Sequence, residues 1–339
     1  MTALYCGIDL HSNNSVVVVM DGAGKVVYRR RLENDLQRIQ QALAPYRQEL
    51  SAVVVESTFN WYWLVDGLLE VGHRVELANT TAIQQYSGLK HTDDTSDAAW
   101  LAEMRRLGIL PTGYIYPKAE RAVRDLLRKR AHLVRQRTAN LVSIQNLMQR
   151  NTGGRMKSEA VKALAPEQPG QLLENADVAL AVAATVRVRQ CLDTEIAALE
   201  KVVLERVKLR PEFIKLKSIP GVGDILGLTI MLEAGTIGRF PSVGNFASYC
   251  RCVNSTKLTN FKKKGAGNVK NGNRYLAWAF VEAANFAPRY SAPIQRFYQR
   301  KQARTNAVVA IKTVAHKLAR AAYYILRDQV AFDVSKAFA

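Results

Sequence analysis

Four acidic residues occur at positions where their carboxylates could act together. Asp9 lies inside the first apolar run of the chain, and Glu56 ends a later apolar run. Asp94 and Asp97 are spaced i, i+3, which places both carboxylates on one face of a helix. Carboxylate oxygens are hard ligands suited to Mg²⁺, and a pair of such ions can stabilise the attacking and leaving oxygens at a phosphodiester. The four acids therefore predict a metal site for phosphodiester chemistry.

The alternative interpretation is that these acids are unrelated to one another. A strand acid can be exposed or hydrogen bonded, and acids at a helix start complement the helix dipole; Asp93 is assigned to such a cap. Burying Asp9, however, costs free energy unless a cation binds it. Asp94 and Asp97 have no basic residue at the next positions of their helix face, which favours a bound cation between them.

The elements that must carry these acids predict a mixed α/β domain. Residues 4–10, 16–20 and 25–31 predict a three-stranded meander. Residues 52–56 are too uniformly apolar for a half-exposed strand, so they predict a buried parallel strand. Further elements are predicted as a helix over residues 33–50 that Pro45 ends or kinks, a helix over 60–69, and a strand over 73–78. Arg74 and Glu76 share a face of this last strand, which predicts either an ion pair or a solvated face. Strand acids followed by helix acids occur in the order of ribonuclease-H-like enzymes.

The composition of the chain indicates a polyanionic partner. Its 339 residues carry a formal charge of +19 with a sequence pI of about 9.9, which makes nucleic acid the leading candidate. No run approaches the roughly 18–20 apolar residues of a spanning helix, and the signal-peptide pattern is missing, so we expect a cytoplasmic protein without a membrane partner. The four scattered cysteines predict reduced thiols. Among the histidines, only His11 lies beside the acids.

The middle of the chain predicts a basic helical arm. After a linker at residues 111–117, one helical stretch extends to a break at 151–154, and a second covers 175–208. Together they predict an antiparallel hairpin or coiled coil. A charged helix face is usually solvated, but the one-sided sign here favours phosphate contact. The candidate contacts on the first helix are Arg121, Arg124, Arg128 and Lys129.

The last part of the chain predicts a mostly helical domain with two glycine-rich features. Residues 218–228 carry Pro-Gly-x-Gly before an apolar helix, which predicts a helix-hairpin-helix segment whose backbone N–H groups approach a DNA phosphate; an ordinary turn is the alternative. A basic loop follows, expected to lie against a nucleic-acid backbone through Lys262, Lys263, Lys264, Lys270 and Arg274. The predicted domains are residues 1–117, 118–210 and 211–339.

Motifs in both halves of the chain resemble a single protein family. The motifs are Gly7-Ile8-Asp9, Val55-Glu56-Ser57-Thr58, Asp94-x-x-Asp97-Ala98, Ile219-Pro220-Gly221-Val222-Gly223, Arg239-Phe240-Pro241-Ser242, Tyr249-Cys250-Arg251-Cys252-Val253-Asn254-Ser255 and Lys270-Asn271-Gly272-Asn273-Arg274-Tyr275-Leu276-Ala277-Trp278-Ala279. They resemble the insertion-sequence one-ten family of DEDD transposases, relatives of the Piv-type DNA invertases. The similarity covers nearly the whole chain.

This resemblance implies a RuvC-like N-terminal domain whose Mg²⁺ site consists of Asp9, Glu56, Asp94 and Asp97. It implies a C-terminal transposase domain whose serine attacks DNA and forms a covalent intermediate. Family members move their element as a circle through strand exchange. They are guided by a structured bridge RNA that pairs with donor and target DNA, and they work as tetramers built from dimers with active sites composed across subunits.

One position departs from the family pattern. Where the family has serine, asparagine and glycine before the lysine run, this chain has Thr259-Asn260-Phe261. The resemblance therefore places Thr259 at the nucleophile position, where its β-methyl group crowds the attack. Ser255 is the alternative nucleophile, although the family pattern gives it a structural role.

Two other functions remain open at this point. A RuvC-like junction resolvase would hydrolyse DNA with activated water and would form no covalent protein–DNA link. A non-catalytic nucleic-acid-binding adaptor would keep DNA processing and binding unchanged in an Asp9→Ala variant. The C-terminal domain favours the RNA-guided recombinase over the resolvase, since a simple resolvase has no need of such a domain.

Overall fold

The computed structural model describes residues 3–83, 94–253, 256–266 and 271–338; within these ranges the side chains of residues 94–96, 256–258, 263 and 266 are not described. The chain divides into two compact units, Met1–Lys118 and Ala119–Ala339. The predicted domains of residues 1–117, 118–210 and 211–339 stay a prediction.

A six-stranded mixed sheet forms the centre of the first unit. Its strands are β1 Leu4–Leu10, β2 Asn14–Met20, β3 Val26–Glu33, β4 Leu50–Glu56, β5 Val75–Ala78 and β6 Thr112–Gly113. They lie in the order β3-β2-β1-β4-β5-β6. Strands β1, β4 and β5 are parallel, whereas β1–β2, β2–β3 and β5–β6 are antiparallel pairs. The meander and the buried parallel strand are thus confirmed, and the mixed sheet is consistent with a ribonuclease-H-like domain.

The helices of the first unit correct two predictions. They are α1 Leu36–Leu43, α2 Tyr62–Glu70, α3 Thr80–Ile83 and α4 Asp94–Arg106. The helix predicted over residues 33–50 is wrong in length, because Pro45 stops α1 and a single 3₁₀ turn, Ala44–Tyr46, leads into β4. The segment predicted as a linker contributes β6, which pairs with β5 and forms one edge of the sheet.

The two faces of the sheet pack against different helices. On one face, Ile8, Val53 and Val55 lie with side chains from α1 and α2 in one apolar cluster. On the other, Val18 packs against α4 at Ala98, and Val54 packs against α4 in a neighbouring cluster. Since successive strand side chains point to opposite faces, this alternation fixes which side chains face α4.

Glu76 of β5 forms two ion pairs, one of which joins α4 to the sheet. Arg74 Nη2 lies 3.1 Å from one carboxylate oxygen of Glu76, which confirms the predicted pair. Arg105 Nε, on α4, lies 2.9 Å from the other oxygen. Glu76 is therefore structural, and it holds the last turn of α4 beside β5.

Two long antiparallel helices dominate the first part of the second unit. Helix α5 covers Lys118–Thr152 and α8 covers Ala176–Val207, with the short helices α6 Ser158–Ala163 and α7 Pro169–Leu172 between them. Arg130 Nη2 lies 2.6 Å from Glu200 Oε1, and Arg137 Nη1 lies 3.1 Å from Asp193 Oδ1. Since later residues of α5 pair with earlier residues of α8, the helices run antiparallel. The helical hairpin is present, and coiled-coil packing stays a prediction.

The rest of the second unit is a helical core with one small β-hairpin. Its elements are α9 Pro211–Leu216, α10 Asp224–Ala234, a 3₁₀ turn Ile237–Arg239, α11 Val243–Tyr249, β7 Thr256–Thr259, β8 Lys262–Ala266, α12 Arg274–Tyr290, α13 Ala292–Arg304, α14 Ala307–Asp328 and α15 Val334–Phe338. Buried side chains from α9 to α15 form one apolar cluster. No helix within the described ranges is long and apolar enough to cross a membrane.

The turn between α9 and α10 packs directly on the backbone of α12. Gly221 has φ +84°, and a Cβ atom there would lie 2.6 Å from the carbonyl oxygen of Ala283 and 2.7 Å from the backbone nitrogen of Ala287. At the start of α10, the Asp224 carboxylate already lies 2.6 Å from Lys217 Nζ. Packing accounts for this glycine, and phosphate binding at the hairpin stays a prediction.

Candidate active site

Gly7 allows helix α4 to lie directly on strand β1. A Cβ atom at this position would stand 2.0 Å from the carbonyl oxygen of Ala98 and 2.8 Å from the backbone nitrogen of Ala102, so glycine alone fits here. Asp9 projects from the same face as Gly7 because residues i and i+2 share a face of a strand. Asp9 is only 3% exposed. The close approach therefore encloses the carboxylate in the layer between the sheet and α4.

Glu56 lies beside Asp9 at the carboxyl ends of two parallel strands. The β1–β4 register aligns Ile8 with Val55, so Asp9 and Glu56 occupy the next step on neighbouring strands, whose backbones are about 4.8 Å apart. Val54 faces α4, and Glu56, two residues later, shares that face. The sheet register thus brings together two acids that are distant in the sequence.

Hydrogen bonds join the turns that follow these two strands. Asn60 Nδ2 donates to the carbonyl oxygen of His11 at 2.9 Å, and Asn34 Nδ2 donates to the same oxygen at 3.0 Å. Thr58 Oγ1 donates to Asn60 Oδ1 at 2.8 Å. Because these bonds hold the ends of β1 and β4 together, they position the acids that the strands carry.

His11 borders the acidic site. Its Nε2 atom lies 3.3 Å from Asp9 Oδ2, yet Nε2 has no hydrogen-bond partner among the described residues. The distance allows a charge interaction with Asp9 when the imidazole is protonated. The structure therefore places His11 beside the acids, as its position in the sequence suggested.

Helix α4 carries the remaining two acids. Asp97 lies one turn before Leu101, which packs against the sheet together with Met104. Asp94 is the first residue of α4, and its side chain lies outside the described residues. The structure thus brings Asp9, Glu56 and the helix of Asp97 into one layer, and a contribution from Asp94 stays a prediction.

The acidic side chains between the sheet and α4 are of the residue types that bind divalent cations. Among the described side chains, no three His, Cys, Asp or Glu residues lie close enough to hold a metal ion. The buried Asp9 carboxylate lies next to a second strand-end acid, Glu56. Both supply the hard oxygen donors that Mg²⁺ prefers. The chemistry of these described donors fits Mg²⁺, and a contribution from Asp94 stays a prediction.

Thr259 lies at the tip of the β7–β8 hairpin. It pairs with Lys262, so Asn260 and Phe261 alone form the turn. Their φ angles are +49° and +61°, the left-handed conformation that two-residue hairpin turns of type I′ require. The side chain of Thr259 is exposed. Ser255, the alternative nucleophile, lies outside the described residues.

The segment that carries this hairpin is closed at its base. The Asn273 backbone N–H donates to the carbonyl oxygen of Tyr249 at 2.6 Å, and Arg251 Nη2 donates to the carbonyl oxygen of Gly272 at 3.0 Å. Gly272 has φ +85°, and a Cβ atom there would stand 2.5 Å from the Tyr249 carbonyl oxygen. The hairpin therefore projects from a fixed frame between α11 and α12.

A buried carboxylate, Glu233, holds that frame. Glu233 is 3% exposed and accepts hydrogen bonds from Arg128 Nε and Nη2 at 2.6 and 2.7 Å and from Asn273 Nδ2 at 2.7 Å. Asn273 Oδ1 in turn accepts from the N–H groups of Tyr275 and Leu276 and caps α12. Two-point pairs of this kind are among the strongest hydrogen bonds in proteins. Arg128 of α5 thereby supports the base of the hairpin segment.

The structure corrects part of the expected phosphate contacts on α5. Arg121 and Arg124 are 5% and 8% exposed, and Arg128 is engaged by Glu233. Arg121 and Arg124 are buried and cannot reach a phosphate without unpacking α5, whereas the partly exposed Arg128 is already paired with a carboxylate. Lys129, by contrast, is exposed and remains a candidate contact.

The predicted cations near the hairpin are accessible where they are described. Lys262, Lys264 and Arg274 are exposed, and the Arg274 guanidinium carbon lies 5.0 Å from the ring centre of Tyr275. The side chain of Lys263 and the whole of Lys270 lie outside the described residues. The three described cations remain candidates for binding phosphate.

The prediction from sequence missed several positioning residues. Asn273 precedes a helix and has the residue type of an N-cap, so this signal could have found it. Asn60 directly follows a predicted strand end, which is a weaker signal. Glu233 had no local signal, because Arg128 and Asn273 are 105 and 40 positions away in the chain.

Comparison with known proteins finds matches to both halves of the chain. Strand-end acids on a mixed sheet, with further acids on the helix that covers it, are typical of ribonuclease-H-like enzymes that process polynucleotides. The model of the DEDD transposase domain of IS110, described as "Transposase", matches residues 6–151. The model described as "Transposase IS116/IS110/IS902 family" matches residues 215–299. The chain belongs to the IS110 (insertion-sequence one-ten) family of transposases.

Curated relatives support the same assignment. A "Probable family 20 transposase" of Pseudomonas aeruginosa is 24% identical, with 96% of this chain and 97% of the relative aligned. The "Transposase for insertion sequence element IS1111A" of Coxiella burnetii is 24% identical over 84% of this chain and 78% of the relative. An insertion element IS110 protein of Streptomyces coelicolor is 29% identical over 43% of this chain and 34% of the relative. The protein is thus a DNA transposase.

Proposed function

We propose that this transposase cuts and exchanges DNA strands in a Mg²⁺-dependent reaction in which the Thr259 hydroxyl becomes covalently linked to DNA. The β1–β4 register, which sets Asp9 beside Glu56 on the face covered by α4, is the observation that carries the proposal. The exposure of Thr259 at a hairpin tip supports the proposed covalent link between its hydroxyl and DNA.

Asp9, Glu56, Asp94 and Asp97 would hold the metal ions. Bound Mg²⁺ would supply the positive charge that stabilises the attacking and leaving oxygens of a phosphodiester. The protein contributes rigidity: the two strand ends are joined through Asn60 and His11, and α4 is fixed on β1 at Gly7. A preorganised arrangement avoids reorganisation as charge develops.

Thr259 would act as the nucleophile. Its Oγ1 atom attacks phosphorus, a new Oγ1–P bond forms, and one P–O bond to a deoxyribose breaks. The threonine proton passes to a base, and the released sugar oxygen takes up a proton to become a hydroxyl. Attack by the sugar hydroxyl of the exchanging strand reverses these bonds and restores Thr259. The β-methyl group of threonine slows the attack relative to serine.

We further propose that a structured bridge RNA, pairing with donor and target DNA, selects the sites, and that the active assembly is a tetramer built from dimers. The formal charge of +19 supports binding of a polyanion. Exposed Lys129 on α5 is the described candidate contact on the arm for the RNA phosphates. We place the reaction in the cytoplasm, at the bacterial nucleoid.

An excision assay tests the carboxylate site. Cells carry the gene together with its native flanking DNA, and circularised element DNA is quantified by amplification across the joined ends. We expect Asp9→Asn, Glu56→Gln and Asp97→Asn each to abolish circles. In lysates of wild-type cells, a chelator is expected to stop circle formation and added Mg²⁺ to restore it.

Glu49→Gln is the matched control, since Glu49 is an exposed acid in the same unit; it should leave circle yield unchanged. Each variant is also checked for a wild-type melting curve and for retained DNA binding. Circles at wild-type level from a folded Asp9→Asn protein would contradict the proposed carboxylate mechanism.

A further inference from the structure

Phe261 has an unusual combination of backbone conformation and exposure. Its φ angle is +61°, in the region that L-residues other than glycine, asparagine and aspartate rarely adopt. Its side chain is 97% exposed, so contacts within the described chain do not offset the strain. An aromatic residue in this conformation indicates a function at the hairpin tip rather than a packing role.

The surroundings of Phe261 carry charge of one sign. Residues 256–266 contain four lysines, and no acidic residue occurs between Glu233 and Glu282. Lys262 and Lys264 are exposed. Lysine is depleted from the cores of protein–protein interfaces, whereas basic residues interleaved with an aromatic ring are typical of surfaces that bind nucleic acid through phosphates and bases.

We propose that Phe261 is a wedge that inserts its ring against a DNA base next to the phosphate attacked by Thr259. The proposal deepens the function proposed above and rests on it, since Thr259 would mark the scissile phosphate. Thr259 and Phe261 are two positions apart, so their Cα atoms lie within about 7 Å. Successive phosphates along one strand of B-DNA are separated by about 3.4 Å of helix rise, so the hydroxyl and the ring reach the same one or two nucleotides.

Such a wedge would serve strand exchange directly. A strand can change partners only after its bases separate from the old complement. Apolar side chains inserted between base steps unstack them and kink the duplex, and an aromatic ring that stacks on the freed base offsets part of the unstacking free energy. The turn would hold the ring rigidly because only two residues connect β7 and β8.

The test uses the full chain with duplexes that carry an element end. The fluorescent base 2-aminopurine is placed in turn at each position around the junction, and the wild-type protein is expected to raise its fluorescence at one step. Phe261→Gly should abolish that increase and weaken binding on the order of tenfold, the equivalent of losing one base–aromatic stack. Phe261→Trp, which preserves a stacking ring, should retain both.

Folding and chemistry are controlled separately. Phe261→Gly should melt no lower than the wild type, because glycine adopts positive φ without strain. Thr259→Ala should retain the fluorescence increase while forming no covalent adduct, so failure of the nucleophile proposal is distinguishable from failure of the wedge. An undiminished fluorescence increase in Phe261→Gly would overturn the proposal. So would a change of oligomeric state in Phe261→Gly with unchanged base fluorescence, which would make the ring a contact between copies of the chain.

Discussion

Arg128 and Glu233, 105 positions apart in the chain, form a two-point hydrogen-bonded ion pair beneath the segment that carries Thr259. The Glu233 side chain is buried, and its Oε2 atom also accepts from Asn273 Nδ2 at 2.7 Å. Since Asn273 closes the base of that segment on Tyr249, helix α5 contributes to the frame of the hairpin. An arginine that the sequence suggested for phosphate contact therefore acts inside the protein.

Removing this carboxylate should destabilise the second unit. Glu233→Ala leaves the Arg128 guanidinium and the Asn273 amide without their acceptor, at an expected cost of about 3 kcal/mol. Lys336→Ala removes the exposed ion pair in which Lys336 Nζ lies 4.0 Å from Asp333 Oδ2. This variant is the control, and its free energy of unfolding should change by less than about 0.5 kcal/mol. Denaturant unfolding of both variants measures the difference. Equal stabilities would show that the buried pair does not support the fold.

Gly7→Ala should disrupt the packing of α4 on the sheet. The added Cβ atom would meet the Ala98 carbonyl oxygen at 2.0 Å, and such overpacking destabilises by about 3 kcal/mol or more. At Gly22, the nearest atom to an added Cβ is the Ala3 carbonyl oxygen at 3.9 Å, so Gly22→Ala is the matched control. We expect Gly7→Ala alone to lower both the melting temperature and the yield of excised circles. A Gly7→Ala protein with wild-type stability would contradict the close approach of β1 and α4.

Thiol labelling should distinguish one cysteine from the other three. Burial raises the pKa of the Cys6 and Cys250 thiols and raises that of Cys252 to about 12, so at pH 7.5 these groups stay protonated, and the thiolate is the reactive form. Cys191 is exposed. Mass spectrometry after maleimide treatment should find a single label on the native protein and four after denaturation. Native labelling at Cys6 or Cys250 would contradict the burial of these two thiols.

The salt dependence of DNA binding should identify the cations that contact phosphate. If Lys262 and Lys264 each neutralise one phosphate, the double alanine variant should lower the slope of log K against log salt by about 2. Arg121→Ala should leave the slope unchanged, because Arg121 is buried, and should reduce stability instead. Measuring the DNA affinity of each variant between low and moderate salt gives the two slopes. An unchanged slope in the lysine variant would remove these residues from the interface.

The parts of the fold that follow from local pattern were predictable. Continuous apolar runs indicated β1 and β4, and their parallel pairing brings Asp9 and Glu56 together. Pro45 marked the end of α1, although the predicted helix was too long. These features depend on side chains close in sequence to the element itself, which is why one sequence was enough to find them.

Other features depend on distant partners and were not predictable. The basic character of α5 does not indicate that Arg121 and Arg124 are buried, because a charge pattern alone does not show which face of a helix is packed. Phe261 is disfavoured at positive φ, so its place in a two-residue turn runs against local propensity. The sequence predicts a chemistry for the site, whereas the contacts that support the site depend on three-dimensional packing.

The covalent link to Thr259 tests the central proposal most directly. The protein is incubated with labelled element-end DNA, Mg²⁺ and the proposed bridge RNA. The reaction is quenched in denaturant, digested with protease and analysed by mass spectrometry. We predict a nucleotide attached to the peptide containing Thr259, no adduct from Thr259→Ala, and an increased yield from Thr259→Ser. An adduct on Ser255, or DNA cleavage without any protein–DNA link, would contradict the proposed mechanism.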